Sequence, residues 1–115
     1  MSWLVACQPD ATPRAKEAKE ELDKFYTRYT IRGGWGFFGS EAKDKDVVLE
    51  INVPDKQADD LLKLSEYERM QFAVRNACPP RSEQVWSIMD PEGDVVIHLR
   101  HSGNRFITVS CKKTT

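Results

Sequence analysis

The strongest constraint on how this chain folds is a pair of alternating runs near its C-terminus. Val95, Ile97 and Leu99 are interleaved with Val96, His98 and Arg100, and Ile107, Val109 and Cys111 with Phe106, Thr108 and Ser110. A period of two in β-branched and aromatic residues marks strands with one face buried and the other half-exposed. Ser102-Gly103-Asn104 between the runs has the composition of a tight hairpin turn. Upstream, Asp90-Pro91-Glu92-Gly93 places proline where φ is already near its turn value and glycine where positive φ is expected. The segment Glu83 to Cys111 is therefore predicted to be a three-stranded antiparallel meander that supplies most of the core.

The rest of the chain alternates helix and strand signals. Ala15, Ala18, Leu22, Phe25, Tyr26 and Tyr29 recur at spacings of three and four, which predicts an amphipathic helix from Arg14 to about Tyr29. Thr12 is its expected cap and Pro13 its first turn. Thr30 to Gly39 interleaves four glycines with Trp35, Phe37 and Phe38. As a glycine-bulged strand, this segment packs about two of its three rings on the sheet. As a contact loop, it offers Arg32, Trp35, Phe37 and Phe38 to a protein partner, since exposed aromatics and arginines dominate binding energy. Ser40 to Asp46 reads as a charged turn, and Val47, Leu49, Ile51 and Val53 alternate as a half-buried strand, completing a hairpin. A helix opening at Pro54-Asp55 loses phase near Leu64, where Ser65 and Glu68 form a capping box for a second helix that Pro79-Pro80 ends. The expected architecture is α+β: N-terminal helix, β-hairpin, broken helix and meander, making one mainly antiparallel five-stranded sheet packed by helices. Residues 14–115 would form a single domain, with 1–13 outside it.

Charge narrows the function. With 17 Lys+Arg against 18 Asp+Glu, the net charge of −1 gives no global field toward nucleic acid or an anionic surface, so no nucleic acid partner is expected. No nucleophile motif, phosphate-cradling loop or zinc spacing is present, and no metal or cofactor is implied. His98 and His101 fall on opposite faces of a strand and cannot jointly hold a metal there. His98 is placed to meet Thr108 or Ser110 across the hairpin. A non-enzymatic role is the expectation.

The three cysteines divide two and one. Cys78 closes a helix and Cys111 closes the last strand, both at a sheet margin, so an intramolecular disulfide is expected between them. In a reducing cytosol all three would instead be small buried thiols, and Cys111 shares its strand face with Ile107 and Val109. Cys7 stands apart. Leu4-Val5-Ala6-Cys7 resembles the lipobox of bacterial lipoproteins, and Gln8 to Pro13 has the polar, proline-bearing character of a tether. The resemblance implies that Cys7 is lipidated, that residues 1–13 are a truncated signal, lipobox and tether, and that the protein sits on the periplasmic face of the outer membrane, where Gln8 in place of Asp directs it. The alternative for this segment is a short N-terminal edge strand from Trp3 to Cys7.

Two functions follow from these residues. The first is a cell-envelope lipoprotein serving as a binding or assembly module, such as an accessory subunit, an inhibitor or an immunity-type protein. The second is a cytoplasmic RNA- or protein-binding domain that uses Arg32, Trp35, Phe37, Arg100, Arg105, Lys112 and Lys113, its arginines beside stacking aromatics.

Overall fold

In the computed structural model, which describes residues 11–114, a 16-residue helix (α1, Pro13–Arg28) begins where the sequence places it. The Thr12 hydroxyl accepts from the Ala15 N–H at 3.1 Å, satisfying one orphan donor of the first turn, and donates to the Asp90 carboxylate at 2.6 Å. A hairpin follows (β1, Gly36–Lys43; β2, Asp46–Asn52), then two helices (α2, Asp55–Leu62; α3, Glu66–Ala77). Both bonds of the capping box are present at the start of α3, with Glu68 N–H to Ser65 Oγ at 3.2 Å and Ser65 N–H to Glu68 Oε1 at 3.1 Å. Those bonds hold the Glu68 carboxyl below its usual range. A single turn (α4, Val85–Ile88), a second hairpin (β3, Val95–His101; β4, Asn104–Ser110) and a last turn (α5, Cys111–Thr114) complete the chain.

The α+β class stands, but the sheet has four strands rather than five, and its order is β1-β2-β3-β4. The two hairpins are antiparallel, whereas β2 and β3 pair in parallel, with Val47 opposite Val95 and Ile51 opposite Leu99. The expected meander therefore loses its first strand. Val85 and Met89, both buried, are spaced four apart and face the same way only in a helix. Trp86 turns aside to donate its indole N–H to the Pro79 carbonyl at 3.2 Å, beneath the Arg81 guanidinium. Asp90 to Gly93 is still a turn, closed by the Gly93 N–H on the Asp90 carbonyl at 2.8 Å, but it delivers the chain into a parallel strand. Gly93 is needed there for close approach and not for positive φ: a Cβ at this position would collide with the Lys45 carbonyl oxygen. The second hairpin does use the expected chemistry, Ser102 and Gly103 sitting at φ 53° and 81° between the paired His101 and Asn104. The charged turn of the first hairpin is narrower than expected, since β1 continues to Lys43 and leaves only Asp44 and Lys45 between the strands.

One face of the sheet is the core wall. Val47, Leu49, Ile51, Val95, Ile97, Leu99, Ile107 and Val109 all lie on it and are buried. Against them pack Ala18, Leu22 and Tyr26 of α1, Ala58 and Leu61 of α2, and Ala73, Val74 and Ala77 of α3. Burial raises the phenol of Tyr26 well above its ordinary value, with Tyr29 adding to the shift, and the hydroxyl donates to the Ala77 carbonyl, joining α1 to α3. Asp23 of α1 accepts from Ser40 of β1 in the same way.

The disulfide forms as expected. Cys78 caps α3 and Cys111 follows β4, with Cα atoms 5.7 Å apart and 33 residues of sequence between them. Nearby, the buried Asp94 carboxylate accepts from the Lys112 N–H at 3.0 Å and from the Ser110 hydroxyl, so the last turn is fastened at two points. Closing a loop of this length removes enough entropy from the unfolded chain to stabilise the fold by about 3–4 kcal/mol. A Cys78→Ser/Cys111→Ser variant should lose that amount in urea denaturation. The unfolded, unreduced and non-lipidated wild type should titrate one free thiol; three would remove the disulfide.

Candidate functional site

The Gly-aromatic segment splits its side chains between core and surface, and the division follows from one β-bulge. Phe37 is opposite Ile51 and Gly39 is opposite Glu50, so Phe38 is the extra, unpaired residue. Phe37 accordingly points to the core side and stacks on Tyr26 at 4.9 Å, half-buried. Trp35, just before β1, is only 3% exposed. Phe38 faces the other side of the sheet and is 70% exposed. Of the four residues expected to form one contact surface, Trp35 and Phe37 are therefore packed in the interior. Arg32 is exposed on a separate cleft with Tyr29 and Phe72, and Phe38 stands on the face away from the core.

That outer face carries an ordered charge cluster. Glu50 of β2, whose side chain is 18% exposed, sits 2.9 Å from Arg105 of β4 and 3.7 Å from Arg100 of β3. Arg100 also donates to the Gly103 carbonyl at 3.0 Å, and its guanidinium carbon lies 5.4 Å from the centre of the Phe38 ring. The exposed ring is thus seated on a cation that is itself held from two other directions. A cation–π contact of this kind contributes about 0.5–1 kcal/mol at an exposed site, enough to favour one ring position.

His98 lies opposite Glu50 on β3, and its Nδ1 is 2.9 Å from the Thr108 hydroxyl, the cross-strand partner expected from the alternation. Its pKa is lowered, first by burial and then by the Arg105 charge, with Glu50 opposing the shift and Lys43 adding to it. His101 is on the other side, 3.4 Å from both the Val53 carbonyl and the Asp55 carboxylate, so the two imidazoles diverge as expected. Of the remaining basic candidates, Lys112 is bonded to the Gly93 carbonyl at 3.1 Å, while Lys113 is exposed. Cys7 and the alternative N-terminal strand lie outside the described residues.

The face has the features of a binding surface: an exposed ring, two arginines and one shared carboxylate, in one rigid sheet. Strand alternation identified Arg100 and Glu50 as outward-facing, but their convergence depends on the β2–β3 pairing, which alternation alone does not carry. Likewise, Tyr29, Phe72 and Arg75 came to notice only as core-spaced or solvated helix positions, yet they share a cleft with Arg32. Set beside known proteins, the chain matches no protein family, no curated protein and no solved structure.

Two outcomes check this geometry. Trp35→Ala should cost about 3–5 kcal/mol in urea denaturation, as expected for a large vacated core site, whereas Phe38→Ala should cost less than about 1 kcal/mol. Equal losses would contradict the division at the bulge. For His98, a lowered native pKa means that the unfolded chain binds the proton more readily. Stability is then complete above the ordinary imidazole value of 6.5 and falls as pH drops through it. Between about pH 7.5 and about pH 5, wild type should lose more stability than His98→Gln, and parallel pH profiles would remove the assignment.

Proposed function

We propose that this protein is a non-enzymatic binding module of the bacterial cell envelope, docking a partner protein through the outer sheet face around Phe38. The observation that carries the reading is Phe38 itself, an aromatic ring 70% exposed and seated on a guanidinium. Leaving a ring in water forgoes the free energy of burying it, and ordering it in advance lowers the entropy lost on binding. Arg100 and Arg105 support a protein partner better than single-stranded nucleic acid, because both are already engaged by Glu50.

The envelope location rests on two separate supports. A disulfide between Cys78 and Cys111 fits an oxidising compartment, since cytosolic thiols are kept reduced. The Leu4-Val5-Ala6-Cys7 resemblance supplies the finer part of the proposal, a lipid anchor on Cys7 at the periplasmic face of the outer membrane. Several acyl chains, as a mature lipoprotein carries, would be needed for firm attachment, because one chain binds a bilayer only marginally.

Expressed in a Gram-negative host behind a functional signal sequence, the protein should fractionate with the outer membrane, and Cys7→Ser should release it. No change on that substitution would remove the anchor. For the docking face, a photo-crosslinking amino acid at Phe38 should capture one discrete envelope protein, while the same probe at Leu62, an exposed apolar position on α2, should not. Equal labelling from both positions, or none from Phe38, would overturn the assignment of the face.

A further inference from the structure

Arg32 belongs to a second surface that does not include Phe38. An open cleft of about 600 Å³ lies where Tyr29, after α1, and Arg32, in a short 3-10 turn, approach Gln57 of α2 and Phe72, Arg75 and Asn76 of α3. Asn76 Nδ2 donates to the Arg32 carbonyl at 3.0 Å, so the turn and α3, the two elements bearing the arginines, are tied together. No carboxylate lines the cleft, although acidic residues outnumber basic ones in the chain by 18 to 17. Neither guanidinium has an ion-pair partner among the described residues, in contrast to Arg100 and Arg105. Two unneutralised guanidiniums facing one hollow attract an anion with matching acceptor geometry.

The rest of the cleft says what the anion is attached to. Tyr29 and Phe72 are 39% and 36% exposed and supply apolar surface. Behind them lies Trp35, its ring 6.0 Å from that of Phe72 and its Cδ1 3.4 Å from where a Cβ on Gly33 would stand. The indole Nε1 bonded to that carbon is the one buried side-chain polar atom without a hydrogen-bond partner among the described residues. The amide of Gln57 adds the hydrogen-bonding chemistry of a peptide backbone.

We propose that this cleft binds a carboxylate carried on an apolar or aromatic peptide segment, with Arg32 and Arg75 holding the carboxylate and Tyr29 and Phe72 the side chain. Aromatic walls and an amide favour such a segment over a bare inorganic anion. The site goes beyond the docking face proposed above and stands or falls separately from it.

The minimal probe is N-acetylphenylalanine, titrated into the ¹⁵N-labelled full chain. Binding in the millimolar range should shift the Gly33 and Gly34 amides, the Asn76 side-chain amide and the Trp35 indole N–H. Arg32→Gln and Arg75→Gln, both at exposed positions, should each weaken it about tenfold while leaving the rest of the spectrum folded. N-acetylphenylalaninamide, which lacks the charge, should bind at least about tenfold more weakly, and Phe38→Ala should bind the acid as wild type does. Equal affinity for acid and amide would overturn anion recognition, and tighter binding of phenyl phosphate would show a phosphate site instead of a carboxylate site. Absence of shifts at about 10 mM probe, or loss of binding in Phe38→Ala alone, would overturn the cleft as the site.

Discussion

The parallel pairing of β2 with β3 is the constraint on which the rest of the molecule depends. Six residues of each strand lie in register, from Val47 opposite Val95 to Asn52 opposite Arg100. Parallel neighbours cannot be joined by a tight turn, so the connection must travel the length of the sheet, and α2, α3 and α4 occupy it. Because both central strands present their β-branched and leucine side chains to one side, the crossover helices and α1 have a single face to cover. Each central strand then gains its outer neighbour by a local hairpin, which is why the edges are antiparallel and the centre is not.

The C-terminal end is secured by chemistry rather than by area. The Cys78–Cys111 bond joins the end of the crossover to the end of the sheet, and the Asp94 carboxylate holds Ser110 and the Lys112 amide beside it. Asp94 also donates its own N–H to the Asp46 carboxylate at 2.9 Å, so the starts of β2 and β3 and the end of β4 meet in one polar cluster. A buried carboxylate is tolerated there because backbone and hydroxyl donors surround it. The disulfide and this cluster thus act on opposite members of the same problem: one restricts the unfolded chain, and the other satisfies polar groups in the folded one.

The two candidate surfaces arise from a single local irregularity. Without the bulge at Phe38, alternation from Trp35 would carry one set of rings to the core and leave the opposite face without a large ring on β1. The extra residue lets Phe37 remain on the core side while Phe38 emerges beside Arg100. Arg32, held outside the sheet by the 3-10 turn, joins α3 instead.

Local patterns in the sequence determined the elements whose stabilising partners are near in the chain. The cap at Thr12, the Ser65–Glu68 box, the Ser102–Gly103 turn and the alternation of β2, β3 and β4 depend on contacts a few residues apart, and each is present. The disulfide was legible for a related reason: both cysteines end an element, and element ends of a small two-layer fold converge at its margins. Strand pairing was not legible, because Val95 to Arg100 carries the same period whether its neighbour is an antiparallel strand from 83–89 or β2 in parallel. Only the four-residue spacing of buried Val85 and Met89 distinguishes helix from strand there, and over so short a stretch that spacing is ambiguous until burial is known. The sharing of Glu50 by Arg100 and Arg105, and the meeting of Arg32 with Arg75, were decided by tertiary structure alone. Both require segments remote in sequence to be brought together, and side-chain patterns record which face a residue occupies but not which neighbour it meets.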